Sequence, residues 1–436
     1  MNRIKKNLLL LSVVLLYTGC TNQKVEKSIV TPAPTHSHKI EQKPYIYTKN
    51  ITPISSKSKK SYIKKFQKNY FYPWHIRNIT FSKKEATWGQ MYSKMNVFSE
   101  NLTPISKDWF NKIIDASNFS EYNSIKRKAI TVSSSYLKVF PTISKIFYDP
   151  NKAGEGFPFD YNENSSIKLN TPLFVSHLSK DKLWAYVESS VAIGWIKVRD
   201  IAYVDDKFIK IFENGDYYTS LKDDVNLYKN KYLVGNTSLG AVFPKAKNGF
   251  IIAAKDYKNN GFIRVIDKNK NFAKLGIDLN LQNIKKLSSE LIGERYGWGG
   301  LLGNRDCSLM IKDFYAPFGI FLNRNSRMQK TNGTSIDLSS FDNIEKKNFI
   351  LKNAIPFKTL IYLPGHIMIY VGEHNNEPLV FHNIWGTKTI DSNGKEGRNI
   401  IGKAIVSTLN PGSRLENYNS EFSLLNRIES ITRIIE

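Results

Sequence analysis

The stretch Arg295-Tyr296-Gly297-Trp298-Gly299-Gly300, continued by Arg305-Asp306-Cys307-Ser308-Leu309, decides how the rest of this chain is read. A glycine-rich turn runs into an apolar segment, and a cysteine marks the border. Leu309, Met310 and Phe314, with Ile311 beside them, recur at helical spacing, so 308–315 is expected to be a helix with Asp306 as its N-cap. Pro317 and Gly319 end it. Cys307 then sits where backbone N–H groups are unpaired and the macrodipole is positive. With a basic group nearby, its pKa is expected to fall from about 8.5 into the ~3.5–7.5 range. The same N–H groups suit an oxyanion. A lone cysteine is more often a small buried hydrophobe, so its surroundings must decide.

Those surroundings lie downstream. Pro364 to Gly372 and Pro378 to Gly386 read as two strands rich in β-branched and aromatic residues, joined through His374-Asn375-Asn376-Glu377. Each strand carries one histidine, His366 or His382. A cysteine at a helix start, a histidine on one strand and a polar group on the next follow the order of nucleophile, base and orienter in a papain-like site. The two histidines cooperate only if they share a face. A regular hairpin with a two-residue Asn375-Asn376 turn would set His382 opposite Ile369, on the wrong face. The sequence therefore requires an odd-length connection, which pairs His382 with Met368, or a bulge. His374 falls in the connection and is set aside as a site residue.

From about Leu287 to Trp385 the chain resembles the NlpC-type family of papain-like cell-wall cysteine peptidases. The family pattern of Tyr-x-Trp-Gly-Gly, Asp-Cys-Ser, Gly-His on a strand and a histidine on the next is matched at Tyr296, Asp306-Cys307-Ser308, Gly365-His366 and His382. Phe318-Gly319-Ile320 through Arg324-Asn325-Ser326-Arg327-Met328-Gln329 resembles the segment after the nucleophile helix. Two positions depart from the commonest pattern: Leu309 stands where glycine is usual, and Asn323 where proline is frequent. The resemblance implies Cys307 as nucleophile, His366 as general base and His382 as the residue that orients it. It also implies a Tyr296 hydroxyl near the oxyanion and a substrate-recognition role for Asp306 and Ser308, with Asp306 both cap and anchor for a free amine. No metal or organic cofactor is called for.

Outward from this core, 436 residues exceed what one hydrophobic core usually supports, and several domains are expected. A hydrophobic content of 41% with 13% aromatic residues excludes wholesale disorder, and two cysteines exclude a disulfide framework. Residues 1–20 combine a basic start, an apolar run from Leu8 to Leu16 and Tyr17-Thr18-Gly19-Cys20. This is a secretory signal, too short to span a bilayer, and its end resembles a bacterial lipobox with Cys20 as the lipid-bearing residue. Tyr17 stands where leucine is typical. Thr21 after the cysteine points, in a cell with two membranes, to the outer one, so the expected location is the envelope, lipid-anchored and facing the periplasm. With Cys20 acylated, Cys307 has no intramolecular partner, and an exported thiol left unpaired has a use.

Residues 21–65, rich in Lys, Ser, Thr and Pro, read as a flexible tether, and its His36-Ser37-His38 lacks the further ligands a metal needs. Residues 66–127 read as a helical clip domain, with an extended Phe71-Tyr72-Pro73-Trp74 anchor and helices over 83–97 and 103–116, the latter capped at Thr103-Pro104. Residues 128–204 resemble an SH3-type barrel closing at Gly194-Trp195-Ile196-Lys197. Its excursion 154–161 resembles a loop facing the peptidase cleft, where packing is the ordinary role and Glu155 or Tyr161 are candidates to close the substrate site. Residues 205–274 repeat the β pattern as a second, divergent barrel, and 275–436 form the peptidase domain, with 402–408 as a further strand of its sheet.

The fold class is thus multidomain α+β: a mainly helical N-terminal domain, two small SH3-type β-barrels and a papain-like catalytic domain. The 63 basic and 38 acidic residues leave a formal charge of +25, spread along the chain. Such a surface attracts lipid headgroups, wall polymers and peptide carboxylates. Nucleic acid is excluded as a partner by the export signal and the lack of a recognition motif. By resemblance the protein hydrolyses peptidoglycan stem peptides between γ-D-glutamate and the diamino acid, through a thioester. An amidase or acyltransferase using the same thiol is a second reading. A third is a non-catalytic peptidoglycan-binding envelope lipoprotein, against which the joint presence of Cys307, His366 and His382 argues.

Overall fold

Alternating apolar residues fold into three antiparallel sheet systems, one after another along the chain. A computed structural model describes residues 40–436. Cys20, the signal segment, His36, His38 and the first part of the expected tether lie outside the described residues. The first system is a seven-stranded sheet in the spatial order Glu163–Ile167, Ser135–Lys138, Ile193–Lys197, Trp184–Ser189, Pro172–Leu178, Arg127–Thr131 and Ile201–Tyr203. It closes around Ala129, Leu137, Val175, Val187 and Ile196. The second follows the helix Asp206–Phe212 and runs Gly261–Ile266, Gly249–Lys255, Val242–Ala246, Tyr217–Ser220 and Phe272–Lys274, with a side hairpin of Val225–Lys229 and Tyr232–Thr237. Leu227, Phe243, Phe250 and Phe272 fill its core.

The third system is six-stranded, in the order Thr334–Asp337, Ser430–Arg433, Thr359–Leu363, His366–His374, Glu377–Ile390 and Glu396–Thr408. Side chains alternate between its faces. Ile367, Ile369, Phe381 and Val406 pack against the helices Leu281–Leu291 and Cys307–Tyr315. Met368, Tyr370, Val380 and Ile384 pack instead with Ile350 of the helix Asn343–Asn353 and with Leu424 and Ile428. Burying both faces holds the histidine strands rigid.

Several N-terminal expectations are corrected, among them the extended 71–74 anchor, which is a helix end followed by the 3-10 segment Tyr72–Trp74. Residues 40–65 are not a free tether. Ile40, Tyr45, Tyr47, Ile51, Ile54 and Tyr62 pack against the core of the third sheet system, and Gln42 exchanges two hydrogen bonds with the Val406 backbone, at 3.0 and 2.9 Å. The helix Ser56–Phe71, capped by Ser55, continues this strap. Its many lysines hide a stripe of Tyr62, Phe66 and Tyr70 spaced by four, which buries one face. Further on, 83–97 is a short helix Lys83–Ala86 followed by a 3-10 segment Trp88–Lys94, and the next helix is Lys107–Ala116 with Ser106, not Thr103, as its cap.

The hairpin that carries the histidines resolves the register question. Asn375 and Asn376 make a two-residue turn with φ of 52° and 58°, as a type I′ turn requires. His374 therefore faces Glu377. A bulge between Tyr370 and Gly372 then shifts the ladder by one, so that Ile369 faces Phe381 and Tyr370 faces Val380. That shift places His382 on the same face as His366.

Candidate active site

Cys307 is the first residue of the helix Cys307–Tyr315, and the Asp306 side chain caps it by accepting from the Leu309 N–H at 2.8 Å. The thiol is buried, with 6% of its surface exposed. Backbone N–H groups of Ile367 and Ser308 point at the sulfur, which places it beside the start of the His366 strand. The expected low pKa is overturned. Burial, reinforced by the Asp306 charge, pushes the thiol up to about 12 and outweighs the helix start and the Arg324 guanidinium.

The histidines form a chain whose proton order can be read. The Ser407 hydroxyl donates to the Thr408 carbonyl at 2.7 Å. It therefore accepts from Nε2–H of His382, 2.9 Å away. A neutral His382 then has its lone pair on Nδ1, which accepts from Nε2–H of His366 at 2.7 Å. The lone pair of His366 is left on Nδ1. Both rings are kept neutral: burial lowers His366 to about 3, helped by the Arg427 charge, and holds the fully buried His382 well below the usual histidine value. Ser407 was not read from the sequence, where a serine in a β-branched strand carries no signal.

On its other side Cys307 is held by ions. Arg324 grips both oxygens of Asp306, at 3.0 and 2.6 Å, and also donates to Ser308 Oγ and to Ser165 Oγ of the first sheet system. Asp306 further accepts from the Gly299 N–H and from Ser308. Burial alone would raise its carboxyl, but Arg324 and these donors hold it below the ordinary value. With both oxygens engaged, Asp306 braces the helix start together with Ser308. One residue earlier, the buried Arg305 bonds Asp313 at 2.7 Å, Asp223 of the second sheet system at 2.7 Å through two nitrogens, and Glu294. Both barrels thus reach the loop that presents the nucleophile. The fit is tight at Gly299 and Gly300, both with positive φ, where an added Cβ would lie 2.5 Å from the Glu163 carbonyl and 2.3 Å from Ser166 Oγ.

Tyr296 lies near the charges of Cys307 and Asp306, and burial sends its hydroxyl far above the usual tyrosine range. Its ring packs at a tilt against Phe159 and Trp385. Phe159 also meets Trp298 and Trp385, Tyr161 meets Trp298, and Glu155 bonds Tyr161. The excursion from the first barrel is a packing lid over the aromatic rim of the site. Among the described residues no cluster of His, Cys, Asp or Glu could hold a metal ion.

Three family models match the chain: the NlpC/P60 family over residues 293–392, an NlpC/P60 N-terminal stabilising domain over 9–122, and an SH3 domain of SH3b1 type over 145–197. Residues 293–392 are an NlpC/P60 domain. A solved structure of an NlpC/P60 endopeptidase from Photobacterium damselae subsp. piscicida is 24% identical, with a TM-score of 0.83, and the match covers 92% of this chain and 98% of that one. The order of helical region, SH3-like sheets and NlpC/P60 domain is therefore a shared fold. An NlpC/P60 family protein from Bacillus cereus is 14% identical over 71% of this chain and 100% of its own, with a TM-score of 0.44. No curated protein matches the chain. The NlpC/P60 match takes in Tyr296, Cys307, His366 and His382 and ends before Ser407.

Proposed function

We propose that the protein is a peptidoglycan stem-peptide hydrolase with Cys307 as nucleophile, His366 as general base and His382 as the residue that orients it. The observation that carries this reading is the chain from Ser407 through His382 to His366. Its proton order leaves Nδ1 of His366 as a free acceptor at the strand start where the Ile367 N–H meets the Cys307 sulfur. As the sulfur attacks an amide carbonyl, His366 takes the thiol proton; it then gives that proton to the leaving amine. Thiol and imidazole are neutral at rest, so the proton moves during attack. Backbone N–H groups at the helix start and the Tyr296 hydroxyl face the developing oxyanion. Water, activated by the same imidazole, hydrolyses the thioester.

The bond we assign is that between γ-D-glutamate and the diamino acid, on the strength of the family resemblance and of a basic chain suited to anionic wall substrates. We place the protein in the cell envelope, anchored through a lipid on Cys20 in the outer membrane. Labelling with a radioactive fatty acid that disappears in Cys20→Ala tests the anchor. For the activity, the full chain and Cys307→Ala are incubated with purified peptidoglycan and soluble stem peptides, and products are identified by mass. Cleavage after γ-D-glutamate that vanishes in the variant is expected. Binding of peptidoglycan without cleavage by either protein would favour the wall-binding reading.

A further inference from the structure

Past His382 the strand Glu377–Ile390 runs on to Thr387 and Lys388, which face Asn399 and Arg398 of the neighbouring strand. A second cluster of charge stands there, unused by the chemistry above. Thr387, Lys388, Arg398, Tyr418, Phe422 and Arg427 help line a cavity of about 50 Å³, room for a carboxylate group. Lys388 is already served, paired with Glu396 and lying 3.6 Å from the centre of the Phe422 ring. The two arginines are not. Arg427 donates to the Pro364 carbonyl at 2.9 Å and Arg398 to the Ala153 carbonyl at 3.4 Å, and neither has a carboxylate in salt-bridge contact. Glu155, across the covering loop, bonds Tyr161, and its charge and that of Glu396 reach Arg398 without a direct ion pair. Thr387 is 8% exposed and its Oγ1 has no partner. Two guanidiniums hydrogen-bonded to backbone carbonyls and not to carboxylates, beside a buried hydroxyl without a partner, are a donor set for a planar anion.

Position says which anion. Pro364 is on the turn that leads into His366, so Arg427 stands beside the imidazole. His366 hands its proton to the departing amine, so the amine-side fragment lies on that flank. We propose that Arg398 and Arg427 bind a carboxylate carried by the leaving amine fragment and select substrates that present one there. The proposal rests on the hydrolase reading and names the specificity of that same site. The carboxylate is either the second one of a diamino acid or the C-terminal one of a short stem.

Three peptides separate these sources: one with a diamino acid bearing a side-chain carboxylate, one with lysine in its place, and one with a C-terminal carboxamide. Arg427→Gln and Arg398→Gln are expected to raise KM and to lower kcat/KM by about tenfold to a hundredfold on the peptide that keeps the recognised carboxylate. They should leave the peptide lacking it nearly unchanged, and Arg427→Lys should restore part of the loss. Equal losses on all three peptides, or none, would overturn the proposal. A binding measurement is independent of turnover. Cys307→Ala titrated with the free diamino acid should give calorimetric binding that Arg427→Gln removes, even if no peptide is cleaved. No binding to Cys307→Ala would overturn the site.

Discussion

The two flanks of Cys307 are built on opposite electrostatic plans. On the strand side, His366, His382 and Ser407 form a neutral chain in which each atom has one proton or one lone pair to offer. On the loop side, Asp306 with Arg324, and Arg305 with Asp223, Glu294 and Asp313, are carboxyl and guanidinium groups in buried contact. Buried ion pairs seldom add net stability over apolar packing, yet breaking one is expensive. Their value is placement, because they fix a loop to two barrels at once. A neutral chain places less firmly but keeps an unprotonated ring nitrogen ready to accept, which is what a group that must take up a proton needs. Position is thus entrusted to ion pairs gathered on two arginines, and chemistry to rings that carry no charge at rest.

The largest way to break this comparison is at the base. His366→Ala should lower kcat about a hundredfold to ten-thousandfold, the range of a lost general base, with KM little changed, measured on a soluble stem peptide. A comparable loss in KM alone would move His366 out of the chemistry. The neutrality of the strand side has its own test in the rate of iodoacetamide alkylation. With the thiol near 12, the thiolate fraction and hence the rate should rise about tenfold per pH unit above neutrality and stay low between roughly pH 5 and 7. Fast labelling that is flat across that lower window would mean a preformed thiolate–imidazolium pair instead.

On the ionic flank, Arg324→Met leaves Asp306 buried without its cation, and a loss of about 3–5 kcal/mol is expected in chemical denaturation. Asp306→Asn in the same background should recover part of it, because the stranded charge is then gone. The smallest effect sharpens the proton order. Ser407→Ala removes the acceptor for Nε2–H of His382, so kcat should fall by about tenfold while the fold loses roughly 1–3 kcal/mol. Ser407→Thr, which keeps the hydroxyl, should stay near wild type in both.

What was legible in the chain follows from how local each signal is. The nucleophile helix, its Asp306 cap and its stop at Pro317 are set by neighbours within a turn, and the structure has them where the sequence puts them. The two histidine strands show in their β-branched runs. Their shared face was legible only as a condition, and a bulge meets it. The partners that arrive from far along the chain were not legible: Arg324 bonding Ser165, Arg305 bonding Asp223 and Ser407 under His382 depend on sheet order, which no spacing encodes. Strand Glu163–Ile167 escapes because asparagine and serines hold three of its five positions, and Ser135–Lys138 because four residues are too few to show an alternation. The strap over 40–65 is hidden in the sequence because its packed residues, Ile40, Tyr45, Tyr47, Ile51, Ile54 and Tyr62, are scattered without a period among lysines and serines. The rise rather than fall of the Cys307 pKa was missed for a related reason, since a helix start is visible in sequence and burial beside Asp306 is not.

The bulge at Val371 has a consequence for how a gene encoding this domain can change. Between His366 and His382 the chain has one tight turn and one extra residue, and together they keep the two rings on one face. An insertion or deletion of a single codon in this interval would turn one histidine to the far side of the sheet unless a second irregularity arose with it. Two codons together would not. Length variants that retain the histidine pair should therefore differ here by even numbers of residues, and those that differ by odd numbers should either have lost the bulge or gained another.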